Sequence, residues 1–176
     1  MDPAERALLE ALDNALRSDV VRGRIDPIVE QVAKKLSVDR MASMAWQPIP
    51  LSVYDGALPP VVRSSWVFIL RAGATTGAER HPNSHQRMMS YQGIGDLQTG
   101  GDGHWQSNLI NSEDDPHLEM RWVSVPPNMW HQAVVPGCDW VVISFHTVPA
   151  HELIEERPDA VDANRTKQRV YVTGVG

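Results

Sequence analysis

The chain has very little cysteine: Cys138 stands alone in 176 residues, so no internal disulfide can form, and the composition fits a reducing, cytoplasmic setting. No stretch approaches the ~18 consecutive apolar residues of a membrane-spanning helix, so no membrane partner is expected. Positive charge is also short. Sixteen Lys and Arg face 22 Asp and Glu, for a net charge of −6, which argues against a phosphate-tracking surface and against nucleic acid as a partner. The opening MDPAERALLEALDNALR is acidic and amphipathic and lacks the basic flank and apolar run of a secretory signal, so none is expected. Internal repeats, low-complexity tracts and DNA-binding motifs are likewise missing. What is there is ordinary for a soluble globular domain: 42% hydrophobic and 22% charged residues, in a length that supports one real core.

The first 45 residues have a helical texture. Asp2-Pro3-Ala4-Glu5 combines an N-cap, a proline at the first helical position and a glutamate placed to reach back. Leu8, Leu12 and Leu16 then share one face. Asp26-Pro27 repeats the start signal, Ile28, Val29, Val32 and Leu36 mark a second apolar face, and VVRGR separates the two predicted helices. From Trp46 the pattern changes to short apolar runs, Ser65–Arg71, Arg87–Tyr91, His117–Val125 and Trp140–Thr147, divided by turn-forming pieces such as RAGATTGA, TGGDGH and VPGCD. Strands at this spacing predict an antiparallel β-sandwich or barrel. The KQRVYVTG stretch near the end is a further edge strand, a candidate for pairing with another subunit. All six tryptophans lie between Trp46 and Trp140 and all seven histidines from His81 onward, so any chemistry belongs to the β part.

The densest run of metal-binding donors is GAERHPNSHQRMMSYQG. Glu79 and His81 are two apart, and on a strand such residues point to the same face. A third donor from a neighbouring strand would complete a three-ligand site. His131 is the natural third, because it follows a Pro-Pro-Asn turn and opens another strand-like stretch; His85 is the alternative, in place of Glu79. In WVVISFHT, alternation puts Ser144 and His146 on one face, either as an acid/base pair facing the metal pocket or as a buried histidine satisfied by a local hydroxyl. Met88, Met89, Trp122, Trp130 and Trp140 are core residues or walls of a substrate pocket, whereas His104, His117 and His151 lie near turns or acidic stretches and are expected in solvent.

These residues resemble the two motifs of the cupin superfamily. The first, G-x5-H-x-H-x(3,4)-E-x6-G, is matched in spacing by Gly73, Glu79-Arg80-His81, Gln86 and Gly93. The centre of the second, P-x-G-x2-H, is matched by Pro126 to His131, with Asn128 where glycine is usual; asparagine tolerates positive φ, so the turn can be kept. Glutamate replaces the first motif histidine, glutamine the motif glutamate, and Val135 the closing asparagine. Within the superfamily the run His81-Pro82-Asn83-Ser84-His85, the pair Gln92-Gly93 and the pair Ser144/His146 resemble the cysteine dioxygenase-like thiol dioxygenases. Val148 stands at that family's relay tyrosine, Gln86 at its cross-linking cysteine, and Arg63 and Arg71 are nearby candidates for its carboxylate-binding arginine.

The resemblance implies a single-domain, mostly β cupin jelly-roll barrel spanning 46–176, with 1–45 as a helical arm packed on the barrel or on a second subunit, and a homodimer. Glu79, His81 and His131 would bind a divalent metal, and two histidines with one carboxylate suit non-haem Fe(II), although the same donors admit Mn, Zn, Ni and Cu. Gln86, Ser144 and His146 would orient substrate or move protons. The implied activity is a dioxygenase using O2 and a small organic substrate, a thiol or an acid among the options. Two alternatives remain open: a metal-dependent isomerase, lyase or decarboxylase, and a non-catalytic barrel that binds a small molecule.

Overall fold

The computed structural model describes residues 1–101, 103–113, 117–159 and 165–170. Two helices, α1 (Pro3–Arg17) and α2 (Asp19–Val38), are followed by β1 (Met44–Pro48), β2 (Ser64–Leu70), β3 (Gln86–Gln92), β4 (Ile94–Gly101), β5 (His104–Gln106), β6 (Leu109–Asn111), β7 (Trp122–Val125), β8 (Trp130–Val134), β9 (Trp140–His146), β10 (Ile154–Pro158) and β11 (Thr166–Val170). Five strands form one antiparallel sheet in the order β1-β2-β9-β3-β7. A second antiparallel sheet centres on β4, which pairs with β8 and, over its two halves, with β6 and β5. The architecture is mostly β, two antiparallel sheets packed face to face, with its two helices at the N-terminus. Among the described residues no helix is long and apolar enough to cross a membrane.

The five-stranded sheet is covered on both faces. On β2, Val67 and Ile69 join a core with α1 and α2, whereas Phe68 and Leu70 belong to the core toward the second sheet. β9 divides in the same way, Val141, Ile143 and Phe145 to the helices and Trp140 and Val142 to the interior. Strands buried on both sides read as unbroken apolar runs rather than alternating ones. The helices contribute Leu9, Leu12, Leu16, Val21, Ile25 and Val32, all nearly inaccessible; each such side chain stabilises the fold by about 1.5–3 kcal/mol relative to exposure. Inside, Gly95 makes room for a tryptophan: a Cβ there would sit 2.1 Å from the buried Trp140 ring.

Several expectations are corrected. α2 begins at Asp19, not at Asp26-Pro27, and VVRGR is helical. Val21, Ile25, Val29, Val32 and Leu36 form one buried stripe, and packing along it outweighs the hydrogen bond and ring clash of Pro27, about 3 kcal/mol. Asp2 does cap α1, accepting from the Glu5 amide at 2.9 Å, but the Glu5 side chain does not reach back; it binds Arg87 and Ser124 across the sheet. His117–Val125 is a strand only from Trp122, because Leu118–Met120 is a 3-10 turn that buries Leu118. The predicted edge strand is present over β11, which pairs with β10 of the same chain; the rest of it, 171–174, lies outside the described residues.

Candidate metal centre

The segment before β3 runs beside β8. Glu79 and His131 lie directly opposite one another and exchange both backbone hydrogen bonds, Glu79 N to His131 O at 2.9 Å and His131 N to Glu79 O at 2.8 Å. Their side chains therefore leave the same face side by side. His81 follows two residues later on that face. Its carbonyl accepts from the Asn128 amide at 3.1 Å, and Asn128 holds the turn before β8 with φ of +66°. One donor atom from each of Glu79, His81 and His131 lies within 4.8 Å of the others, close enough to share one cation.

The protonation pattern fits such a cation. His81 Nδ1 is 2.9 Å from the Ile154 carbonyl and His131 Nδ1 is 3.2 Å from the Met129 carbonyl. Carbonyls only accept, so both Nδ1 atoms carry a proton, which leaves Nε2 as the ligand atom of each ring when neutral. His131 Nε2 is buried with the Glu79 carboxylate 3.5 Å away, and among the described residues it has no hydrogen-bond partner. An unpaired buried polar atom costs about 1–3 kcal/mol, a cost a bound ion would remove. Burial alone would raise the Glu79 carboxyl, but His131, His81 and Arg157 more than offset it and hold it at about 2. Burial, with His131 and Arg157, lowers His81 to about 4 against the opposing pull of Glu79. At neutral pH the carboxylate is thus charged and His81 neutral, and neither must lose a proton to bind metal.

The other sequence-predicted residues fall into two groups. Gln86, the first residue of β3, shares a cavity with Glu79 and His131, and its amide oxygen is buried without a partner. Ser144 and His146 stand deeper. His146 Nε2 is 3.4 Å from Ser144 Oγ and Nδ1 3.3 Å from Ser84 Oγ, and its ring meets that of His81 edge-on with centroids 5.0 Å apart. Burial above all, then His81 and His131, push this imidazole well below the ordinary range, so it is neutral. His85 turns away from the centre, to Ser124 at 2.7 Å and to the Glu5–Arg87 pair. Met88 lines the cavity, Met89 and Trp122 sit under the helices, Trp140 is in the inner core, and Trp130 is stacked on by Arg80 at 4.7 Å. His104, His117 and His151 are exposed, as expected. Neither arginine candidate serves the cavity: Arg71 bonds the backbone carbonyls of Leu36, Asp39 and Ala42 at the end of α2, and Arg63 is exposed.

Sequence reasoning missed β10, which supplies the Ile154 carbonyl to His81 and Arg157 to Glu79. Arg157 also bonds Glu155, a fully buried carboxylate that Arg169 binds as well. Glu155 and Arg157 alternate on one strand, but nothing local in EERP tells which acid they serve.

No protein-family model matches the sequence, and no curated protein matches it. Solved structures do align. An oxalate oxidase gives a TM-score of 0.46 at 14% identity over 60% of this chain and 51% of its own. An oxalate decarboxylase of Lactobacillus farciminis gives 0.47 at 13% identity over 62% of this chain and 30% of its own, and pumpkin seed globulin 0.49 at 16% over 65% and 28%. The chain thus spans about half, or less, of the length of these proteins.

Proposed function

We propose that the protein is a small metal-dependent enzyme of cupin type, a non-haem Fe(II) dioxygenase acting on a small organic substrate. The observation that carries this reading is the convergence of Glu79, His81 and His131, with both histidine Nδ1 atoms tied to carbonyls and His131 Nε2 left over. Fe(II) held by two imidazoles and one carboxylate keeps open positions and supplies the electrons for dioxygen chemistry. The chain's own contributions are positional. Arg157 binds one Glu79 oxygen and leaves the other facing His131. The Ile154 and Met129 carbonyls fix the ring orientations. Gln86 stands on the wall of the same cavity, beside the apolar side chains of Phe68, Leu70, Met88 and Val142. His146, neutral and bonded to Ser84 and Ser144, supports the back of His81 and offers a hydroxyl–imidazole path along which a proton can move.

Protein purified anaerobically without a histidine tag, reconstituted with Fe(II), should bind one iron per chain and consume O2 with its substrate. Glu79→Ala should lose iron. Full metal loading in that variant would remove Glu79 from the scheme. The donor set also suits Zn, Mn or Ni acting as a Lewis acid in an isomerase, lyase or decarboxylase; stoichiometric metal with no oxygen uptake on any substrate would select that second reading.

A further inference from the structure

On β10, Glu155 and Arg157 are two apart and share one face. Arg157 spreads its three nitrogens over three acceptors. Nη2 binds Glu79 Oε2, Nη1 donates to the Thr76 carbonyl at 3.0 Å, and Nε donates to Glu155 Oε1 at 2.6 Å. The other Glu79 oxygen, Oε1, is the one 3.5 Å from His131 Nε2. Glu155 is fully buried. Its Oε1 also accepts from Arg169 of β11, whose Nε is at 2.9 Å and Nη2 at 2.8 Å, but the Arg169 side chain is 58% exposed, so solvent screens its charge. A row of alternating charge thus runs from the surface to the metal centre through Arg169, Glu155, Arg157 and Glu79.

We infer that Arg157 and Glu155 are positioning residues of the metal centre: Arg157 sets which Glu79 oxygen is offered to the metal, and Glu155 fixes Arg157 and offsets its charge. The inference rests on the proposed centre and adds to it two residues outside the ligand set. A carboxylate free to turn offers either oxygen, whereas one held by a planar guanidinium fork offers only the other. An uncompensated guanidinium bonded to a metal ligand would also repel the cation, most strongly where water is excluded. Glu155, bonded to the same fork and out of solvent, cancels that charge where it matters. A staple between β10 and β11 alone would not need a fully buried carboxylate, because an exposed pair avoids the cost of desolvation.

The test strips the full chain of metal by chelation, titrates it with Co(II), and reads affinity and visible bands in wild type and variants. Arg157→Met should bind Co(II) roughly 10–100-fold more weakly, the usual cost of losing a ligand's supporting contact, and its bands should change because Glu79 is no longer held. Glu155→Gln, which keeps the shape and loses the charge, should weaken binding at least ~5-fold. The double variant should be within ~2-fold of Arg157→Met, because Glu155 acts through Arg157. Arg169→Met should stay within ~2-fold of wild type. Wild-type affinity in either of the first two variants would overturn the inference, and Glu155→Gln carries the test if Arg157→Met does not fold. Additive losses in the double variant would overturn it too. So would a loss in Arg169→Met as large as that in Glu155→Gln, which would make Glu155 a staple of the hairpin. A wild type that takes up no Co(II) overturns the metal centre and the inference with it, whereas uptake that ignores both Arg157 and Glu155 overturns the inference alone.

Discussion

The two faces of the five-stranded sheet treat their polar groups in opposite ways. Toward the helices, every carboxylate oxygen of Glu5 and Asp13 is engaged. Glu5 accepts two bonds from Arg87 and one from Ser124, and Asp13 accepts from Arg121, Arg17 and the Trp122 indole, all between 2.6 and 2.9 Å. Toward the second sheet, His131 Nε2 and Gln86 Oε1 are buried with no partner, and the Glu79 oxygen nearest His131 stays 3.5 Å from it. The first pattern fastens a helix to a sheet. The second holds polar atoms in reserve for something the chain itself does not provide, at a cost of about 1–3 kcal/mol per atom.

The largest expected effect comes from breaking the satisfied face. Asp13→Ala takes the carboxylate from Arg121, a buried guanidinium, and from the Trp122 indole. It should cost about 3–5 kcal/mol in chemical denaturation while leaving the metal affinity of the folded fraction unchanged. A loss below 1 kcal/mol would mean that the helix is held by its apolar stripe alone.

The reserved face should respond less. His131→Leu removes the unpaired Nε2, but also the Nδ1 bond to the Met129 carbonyl and the imidazole that faces Glu79, so metal-free stability should fall by about 1–2 kcal/mol, less than for Asp13→Ala. Metal affinity should fall by more than the roughly 100-fold that losing a ligand's supporting contact costs. Isothermal titration with Zn(II) and a denaturant series on the same preparation measure both. A strongly destabilised metal-free variant would show that His131 belongs to the framework, and the contrast between the faces would be gone.

What could be read in the sequence follows from the same division. β2, β3 and β9 announced themselves as apolar runs because the helices and the second sheet bury both their faces. Glu79, His81 and His131 were legible because alternation on extended backbone and the Pro-Pro-Asn turn are local signals. β4 and β5 were not, since IGDLQTGG is glycine-rich and only partly buried and offers neither an apolar run nor a clean alternation. The start of α2 was hidden because Pro27 imitates a first-turn proline, and only packing shows the stripe running through it. Arg157 was invisible for a different reason: its partner, Glu79, lies far away in the chain, and no local pattern encodes that pairing.

Glu5 gives the finest comparison, because its two readings make different predictions for one conservative change. A capping glutamate can be replaced by glutamine with little loss, since both reach back to the cap amide. A glutamate that binds Arg87 bidentately cannot. Glu5→Gln should therefore cost about 1–3 kcal/mol near neutral pH, the range for loss of a charge-assisted hydrogen bond. Burial would raise the Glu5 carboxyl, but the bonds from Arg87 and Ser124 outweigh that and hold it below its ordinary 4.5. The sign follows: a depressed carboxyl contributes stability that is present above the unfolded value and lost as pH falls through the folded one. The gap between wild type and Glu5→Gln should thus be constant above about pH 5 and close progressively below pH 4.5. Asp2→Ala, which removes only the exposed cap bond to the Glu5 amide, should cost about 1 kcal/mol at neutral pH. If Glu5→Gln proves as cheap as a surface change and Asp2→Ala the dearer of the two, the helix is fastened by its cap and not by the sheet beneath it.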